Sequence, residues 1–291
     1  MKYESIGYVV HDSILTITLN RPDRLNAITR EMAMELMLAV LRASNDADIA
    51  AIIVTGAGRA FCAGMDLSGE GNVFGLDESL APNIDDLTQR FEDPIIVEGV
   101  RDLGGRLALA IFECRKPVIA AINGAAVGIG ATMTLPMDIR LIAEGAKIGF
   151  VFGKLGIVPE CCSSWFLPRI VGISKALEWL YTAEMLDAST ARDAGLVKAV
   201  YPGEQLLEAA LALAHKLTDK RSQVATMLIR QMLYRNSAMQ HPMDAHRIES
   251  LAMFYTSIGD GKEGVQAFRQ KRDPVFESKA NKAPAFFPWW K

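Results

Sequence analysis

Residues 123–132 read Asn123-Gly-Ala-Ala-Val-Gly-Ile-Gly-Ala-Thr132, and they follow a short apolar run, Pro117-Val-Ile-Ala-Ala-Ile122. A second glycine-containing segment lies upstream, Gly58-Arg-Ala-Phe-Cys-Ala-Gly-Met-Asp-Leu67, after the apolar run 50–55. Each segment places a glycine-rich turn where a predicted strand ends. Backbone N–H groups from two such turns can be directed at one point, which is how an enzyme holds a developing oxyanion.

The two segments, taken together and in this order, resemble those of the crotonase (enoyl-CoA hydratase/isomerase) superfamily over nearly the whole chain. The resemblance implies an α/β fold, a crotonase-like spiral of ββα units with C-terminal helices that build a trimer. Periodicity alone predicts only an α/β protein with parallel sheets. The implied function is an acyl-CoA enzyme that stabilises a thioester enolate, with coenzyme A as part of the substrate and no separate cofactor.

Length and charge limit the classes of function. The chain has 291 residues, half of them hydrophobic, so one large domain or a domain with an appendage can bury a substantial core. A net charge of -3 gives no electrostatic case for binding nucleic acid or an anionic membrane surface. The N-terminal segment lacks the apolar region of a signal peptide, and no run approaches the length of a membrane span. We expect a soluble, cytoplasmic protein, whose four cysteines without CxxC spacing stay reduced.

The pattern of elements divides the chain in two. Strands are predicted over 8–10, 14–19, 50–55, 139–143 and 146–150, and Thr29 is a predicted N-cap of a helix over 31–41. After about residue 174 the pattern is almost entirely helical. We therefore assign residues 1–200 to the spiral core, with an acidic loop insertion at about 68–95. This loop either flanks the acyl pocket as a lid or is a mobile segment without a role in the site. Residues 201–291 form a helical oligomerisation region whose aromatic tail, 284–290, is expected to pack on a neighbouring subunit.

The resemblance assigns the oxyanion hole to two backbone N–H groups. They belong to Met65, after the Ala-Gly of the first turn, and Ile129, in the middle of the second turn's Gly-x-Gly. The segment 128–133 also invites comparison with a dinucleotide-binding fingerprint, but Met133 stands where that motif needs a third glycine or alanine.

A candidate base lies in Leu155-Gly-Ile-Val-Pro-Glu-Cys-Cys-Ser-Ser164, where Glu160 follows a proline. This stretch resembles the Pro-Glu-x-Cys-Ser-Ser segment of peroxisomal-type Δ3,Δ2-enoyl-CoA isomerases, whose glutamate shuttles a proton. The resemblance implies the same role for Glu160. We expect Phe150, Phe152 and Trp165 to form an apolar pocket that raises the pKa of Glu160 toward neutrality, where a base works best.

The usual enoyl-CoA hydratases carry two glutamates at the positions of Thr132 and Phe152, and neither residue here can act as a carboxylate base. The leading hypothesis is therefore isomerisation, with Thr132, Phe152 and Trp165 lining the acyl pocket. Hydration of a 2-enoyl-CoA through a single-glutamate site and acyl-CoA binding without catalysis are the alternatives. Glu160 itself has two other interpretations, as a cap of the following helix or as a nucleophile like the aspartate of 4-chlorobenzoyl-CoA dehalogenases.

The resemblance also implies how CoA is held. The expected contacts are Arg24, the backbone at Ala60, Ala63 and Leu67, and Phe268 and Lys271 reaching an adjacent subunit's nucleotide. Cationic side chains suit the phosphates of CoA, although Lys271 also fits a solvated helix end. No metal site is predicted, because none of the histidines at positions 11, 215, 241 and 246 has a partner at metal-ligand spacing. The expected partners are the acyl-CoA substrate and copies of this chain, in a homotrimer or a dimer of trimers.

Overall fold

The structure is a computed structural model that describes residues 2–289, and these residues form ten strands and twelve α-helices. The strands are β1 (Ile6–His11), β2 (Ile14–Leu19), β3 (Ala51–Gly56), β4 (Ala60–Cys62), β5 (Val118–Ile122), β6 (Ala125–Val127), β7 (Ile139–Ala143), β8 (Lys147–Gly149), β9 (Met185–Asp187) and β10 (Ala199–Tyr201). The helices are α1 (Arg30–Asn45), α2 (Ile84–Gln89), α3 (Pro94–Gly99), α4 (Leu103–Phe112), α5 (Ile129–Thr132), α6 (Ser163–Val171), α7 (Ile173–Thr182), α8 (Ala188–Asp193), α9 (Leu206–Thr218), α10 (Gln223–Asn236), α11 (Pro242–Ile258) and α12 (Asp260–Gln270).

The strands form two sheets that the chain visits alternately. The larger sheet has the order β1-β2-β3-β5-β7-β10 and the smaller one β4-β6-β8-β9. The hairpin β1–β2 and the pair β8–β9 are antiparallel, and the other neighbours are parallel. Each of the pairs β3–β4, β5–β6 and β7–β8 places its first strand in the larger sheet and its second in the smaller. This winding confirms the predicted crotonase-like spiral.

Local sequence explains the first helix and the central strand. The Thr29 side chain accepts a hydrogen bond from the Met32 N–H, which confirms the predicted cap of α1. Strand β3 lies between β2 and β5 and is parallel to both, and its residues 51–55 are all buried. A continuous apolar run is what a strand covered on both faces requires.

The main core continues past residue 200. Helix α9 buries Leu206, Ala210 and Ala214 in that core and packs against β3 and β5. A second, smaller core forms between α10, α11 and the chain's end, from Val224, Met227, Leu228, Ala252 and Ala280. The change from one core to the other therefore comes after α9. The prediction of almost pure helix after residue 174 missed β9 and β10, because a three-residue strand has no periodicity of its own.

The structure describes two segments that the sequence analysis singled out. The acidic stretch 68–95 is irregular only to about residue 83, because Asn83 and Asp93 cap the helices α2 and α3. The described part of the aromatic tail contacts its own chain, and its packing on a neighbouring subunit stays a prediction. Phe286 stacks on Tyr255 of α11 with 5.6 Å between ring centroids, whereas the tail's last tryptophan lies outside the described residues. No helix in residues 2–289 is long and apolar enough to cross a membrane.

Candidate active site

The two glycine turns meet at the ends of neighbouring strands. Strands β4 and β6 are parallel neighbours in the smaller sheet, so the turns that follow them lie side by side. Helix α5 packs closely on β4, since a Cβ added at Gly130 would lie 2.2 Å from the carbonyl oxygen of Cys62. Between the turns opens a cavity of about 250 Å³, which we call the Glu160 cavity. Its lining includes Ala63, Gly64, Met65, Leu67, Phe74, Asp102, Leu103, Gly104, Gly128, Ile129, Phe152 and Glu160.

The backbone around Met65 directs its N–H away from the neighbouring chain segment. Ile28 donates its N–H to the Gly64 carbonyl oxygen at 2.8 Å, and Asp66 donates its N–H to the Ile28 carbonyl oxygen at 2.8 Å. Successive N–H groups of an extended segment point to opposite sides, so the Met65 N–H points away from Ile28. Ile129 is the first residue of α5, and its N–H has no acceptor within that helix. Both predicted donors therefore belong to residues that line the Glu160 cavity.

Glu160 lines the same cavity as these turns. Its Oε1 accepts a hydrogen bond from the Thr132 hydroxyl at 2.6 Å. Its Oε2 is buried and has no hydrogen-bond partner among residues 2–289. Burial raises the pKa of the carboxyl group to about 7, and the charge of Asp102 acts in the same direction, whereas hydrogen bonds from Cys161 and Thr132 oppose the rise. The carboxyl group can therefore both accept and return a proton near neutral pH.

The first turn of α4 provides the space for this carboxyl group. A Cβ added at Gly104 would lie 1.5 Å from Glu160 Oε2, so any larger residue there would force the carboxyl group to move. The helix begins after Asp102, whose side chain accepts a hydrogen bond from the Gly105 N–H. Sequence reasoning missed Asp102, although an aspartate directly before an apolar helical run is a recognisable cap pattern.

Glu160 is not the cap of the next helix, so that interpretation is wrong. Helix α6 begins at Ser163 with Cys162 as its N-cap residue. Cys161 and Cys162 both adopt left-handed backbone angles, with φ of 57° and 51°. Non-glycine residues rarely adopt this conformation, and strain of this kind is concentrated at functional sites.

The residues assigned to the acyl pocket fall in three different places. Phe152 lines the Glu160 cavity. Thr132 is fully buried behind Glu160 and contacts the carboxyl group instead of the cavity. Trp165 does not line this cavity and belongs to another, with Phe112 and Phe166. Trp165 is the third residue of α6 and lines the other cavity. The prediction that it lines the acyl pocket beside Glu160 is therefore corrected. Phe150, expected beside it, stacks on Trp179 at 6.2 Å instead.

Only some of the predicted CoA-binding residues line the cavity. Ala63 and Leu67 line it, and Ala60 is buried in β4. Arg24 is exposed, and the next residue, Leu25, accepts a hydrogen bond from the Ala63 N–H at 3.0 Å. Phe268 and Lys271 are exposed at the end of α12 and are not part of the cavity of the same chain.

A second, polar cavity adjoins the first and shares Met65, Phe74 and Leu103 with it. Residues 68–75, at the start of the acidic stretch, contribute to its wall. The histidines lie elsewhere. His11 pairs with Asp12, His215 pairs with Asp219, and the His241 ring accepts a hydrogen bond from the Met243 N–H.

The chain is similar to known proteins over most of its length. The family model described as enoyl-CoA hydratase/isomerase matches residues 10–97 and 98–279. The chain is 38% identical over 269 residues to enoyl-CoA hydratase ACTT3 of Alternaria alternata, covering 91% of this chain and 83% of that protein. It is 35% identical over 274 residues to the 1,2-epoxyphenylacetyl-CoA isomerase of Escherichia coli K12, covering 93% and 97%.

A solved structure extends the similarity to the whole fold. The crystal structure of enoyl-CoA hydratase from Bacillus anthracis has a TM-score of 0.79 and 28% identity, over 94% of this chain and 99% of that one. The matched residues include both glycine turns and Glu160. The chain therefore belongs to the enoyl-CoA hydratase/isomerase family, within the crotonase superfamily of acyl-CoA enzymes.

Proposed function

We propose that this protein is a Δ3,Δ2-enoyl-CoA isomerase with Glu160 as its single base. The observation that carries the proposal is the Glu160 carboxyl group itself. One of its oxygens is held by Thr132, and the other is buried beside the cavity without a partner in residues 2–289. Thr132 and Phe152 occupy the two positions where the family resemblance places the glutamates of a hydratase.

The reaction follows from these positions. Glu160 Oε2 removes a proton from C2 of a 3-enoyl-CoA, and the electrons of the broken C–H bond move toward the thioester. The resulting dienolate oxygen accepts hydrogen bonds from the N–H groups of Met65 and Ile129, each worth about 3–4 kcal/mol in the transition state. Glu160 then returns the proton to C4. The double bond ends between C2 and C3, and the carboxylate is restored.

The substrate's CoA part is assigned by charge and position. Arg24 is proposed to lie beside the adenine and phosphates, and the backbone at Ala60, Ala63 and Leu67 to contact the adenine and pantetheine. Phe268 and Lys271 are proposed to reach the nucleotide of an adjacent subunit, since the phosphates need cationic partners. No cofactor beyond the CoA thioester is proposed, and the expected compartment is the cytoplasm.

A homotrimer, or a dimer of trimers, is proposed as the assembly. The apolar side chains exposed on the C-terminal helices include Ile229, Leu233, Met253, Phe254, Val265 and Phe268. Exposed apolar surface of this extent marks an interface. Light scattering of the purified protein is expected to give three or six times the mass of one chain, and a monomer mass would contradict the assembly.

Hydration of a 2-enoyl-CoA is the second candidate. Two observations favour it: several relatives are named enoyl-CoA hydratases, and Asp102 is a second carboxylate in the Glu160 cavity. In this reaction Glu160 and Asp102 would activate a water molecule together. The Asp102 carboxylate already accepts the Gly105 N–H, which makes it the less available proton acceptor of the two.

An absorbance assay separates the candidates. The purified protein is offered 3-enoyl-CoA and 2-enoyl-CoA substrates of several chain lengths, beside Glu160→Gln and the exposed control Glu204→Gln. Isomerisation produces the conjugated 2-enoyl thioester from the 3-enoyl substrate, and we expect this signal to disappear only in Glu160→Gln. Loss of conjugation from the 2-enoyl substrate would assign a hydratase. Binding of CoA without turnover of either substrate would assign a non-catalytic acyl-CoA-binding protein.

A further inference from the structure

The Thr132 hydroxyl lies between two oxygen atoms that compete for its one proton. Thr132 is the last residue of α5 and is fully buried. Its Oγ1 is 2.6 Å from Glu160 Oε1 and 3.2 Å from the carbonyl oxygen of Gly128. A hydroxyl group has a single donor hydrogen, so it donates to one of these oxygens at a time.

The protonation state of Glu160 decides between the two acceptors. An ionised carboxylate is the stronger acceptor and takes the Thr132 proton, because hydrogen bonds to charged groups are stronger than neutral ones. When Glu160 is protonated, its oxygen is a weaker acceptor, and rotation of the hydroxyl directs the proton to Gly128. That carbonyl oxygen already accepts the Ala131 N–H at 2.9 Å and the Thr132 N–H at 3.0 Å, and the hydroxyl at 3.2 Å joins them as a third donor. No heavy atom needs to move.

We propose that Thr132 is a positioning residue that hydrogen-bonds the base in its charged form and releases it in its neutral form, so that one buried glutamate can take up and return a proton. This inference rests on the proposed function. Proton uptake forms the bond between Oε2 and hydrogen as the C2–H bond breaks, and the Thr132 proton turns to Gly128. Return of the proton to C4 restores the carboxylate, and the Thr132 proton turns back to Oε1.

The surroundings of Glu160 show why such a donor is needed. The titratable groups that act on its carboxyl group are Asp102 before α4, Cys161 and Cys162 beside it in the chain, and Cys62 in β4. The negative charge of Asp102 disfavours ionisation of Glu160. The three cysteines are buried or half-buried thiols. Thr132 and the Cys161 thiol are the hydrogen-bond donors that favour the ionised carboxylate.

The test titrates Glu160 directly in the full-length protein. The ¹³C NMR signals of labelled glutamate carboxyl groups are followed against pH, and the Glu160 signal is identified by its absence in Glu160→Gln. Thr132→Val, which keeps the shape but lacks the hydroxyl, is expected to move the Glu160 midpoint upward by about one to two pH units. Thr132→Ser is expected to restore the wild-type midpoint.

Thr134→Val is the matched control. Thr134 is also buried, and its hydroxyl donates to the Ala131 carbonyl oxygen at 2.7 Å, so its removal is expected to leave the Glu160 midpoint unchanged. The inference is overturned if Thr132→Val titrates like the wild type, or if Thr132→Ser titrates like Thr132→Val while both keep the wild-type melting temperature.

Activity provides a separate readout. The acidic limb of kcat/KM for the isomerase reaction is expected to move with the NMR midpoint, because the ionised carboxylate is the base. A shifted midpoint in a protein that turns over no enoyl-CoA would support the role of Thr132 and contradict the isomerase assignment. The failures of the two proposals can therefore be told apart.

Discussion

At the scale of single residues, the environment of Glu160 sets its chemistry. The protein around it removes water from the carboxyl group and favours the neutral acid, while the Thr132 hydroxyl and the Cys161 thiol favour the anion. Burial has the larger effect, and the pKa rises from 4.5 to about 7. A group that titrates there is suited to catalysis at neutral pH, but it lowers the stability of the folded state when it is ionised.

This cost predicts how stability depends on pH. Between about pH 4.5 and pH 7 the folded protein keeps a proton on Glu160 that the unfolded chain has lost, so raising the pH favours unfolding. The folded protein is about 3 kcal/mol more stable when Glu160 is protonated than when it is ionised. This stabilisation is fully present below pH 4.5 and is lost as the pH rises past 7. Urea denaturation at pH 5 and pH 8 should show the wild type losing more free energy of unfolding than Glu160→Gln. Equal losses in the two proteins would contradict the raised pKa.

Gly104 gives a second prediction at this scale. Gly104→Ala places a methyl group where Glu160 Oε2 lies, so the carboxyl group must move. A displacement of about 1 Å from the substrate costs on the order of a hundredfold in rate, and we expect a loss of that size in kcat/KM. Gly203→Ala, where an added Cβ meets nothing within 4 Å, should keep full activity. An active Gly104→Ala would show that Glu160 acts from another position.

At the scale of elements, the first turn of α4 combines two tasks. Asp102 caps the helix, and Gly104 and Gly105 add no side chains to its first turn between Leu103 and Arg106. A Cβ at Gly105 would lie 2.7 Å from an Asp102 carboxylate oxygen, just as one at Gly104 would meet Glu160. The start of α4 thus brings Asp102 into the cavity that Glu160 lines and leaves room at Gly104 for the Glu160 carboxyl group.

Two substitutions of Asp102 distinguish its role as the helix cap from the effect of its charge on Glu160. Asp102→Ala should lower the free energy of unfolding by about 1 kcal/mol, because the Gly105 N–H loses its acceptor. Asp102→Asn should keep this stability, since an amide oxygen also caps a helix. The charge of Asp102 raises the pKa of Glu160, so Asp102→Asn should move the acidic limb of the pH–activity profile to lower pH. Complete loss of activity in Asp102→Asn would instead favour a two-carboxylate hydration.

At the scale of the whole molecule, one buried ion pair joins the C-terminal helices to the main core. Arg230 of α10 lies 3.0 Å from a carboxylate oxygen of Asp138, just before β7, and Tyr234 donates its hydroxyl to the same side chain at 3.0 Å. The Arg230 guanidinium also donates to backbone carbonyl oxygens at the end of α4, those of Ile111, Phe112 and Cys114. Its side chain is only 5% exposed.

Removing this arginine should destabilise the protein strongly. Arg230→Met removes the cationic partner of Asp138 and one hydrogen-bond donor from each of three carbonyl groups. Loss of one side of a buried ion pair costs about 3–5 kcal/mol. Urea denaturation measures the change. Arg247→Met removes a pair with Asp244 whose arginine side chain is 72% exposed, and it should change stability by less than about 1 kcal/mol. Similar effects of both substitutions would mean that the buried network does not hold the two cores together.

The sequence predicted those features that depend on neighbours along the chain. The glycines of the two turns, the Thr29 cap and the apolar run of β3 answer local requirements of the backbone, so the places where these strands end could be inferred. The spiral itself was implied by the family resemblance that the two turns carry. Glu160 stood out because it lies in a short motif. In contrast, β9 and β10 exist only because they pair with β8 and β7, and three residues carry no pattern that predicts this.

Only the tertiary structure decided what surrounds Glu160. Asp102 and Gly104 come from α4 and Thr132 from α5, and no spacing in the sequence indicates that these elements meet at one carboxyl group. The same packing directs Trp165 into a different cavity and brings the described part of the aromatic tail into contact with its own chain. Backbone turns follow from the conformational limits of adjacent residues, whereas the partners of a buried side chain follow from how distant elements fill space together.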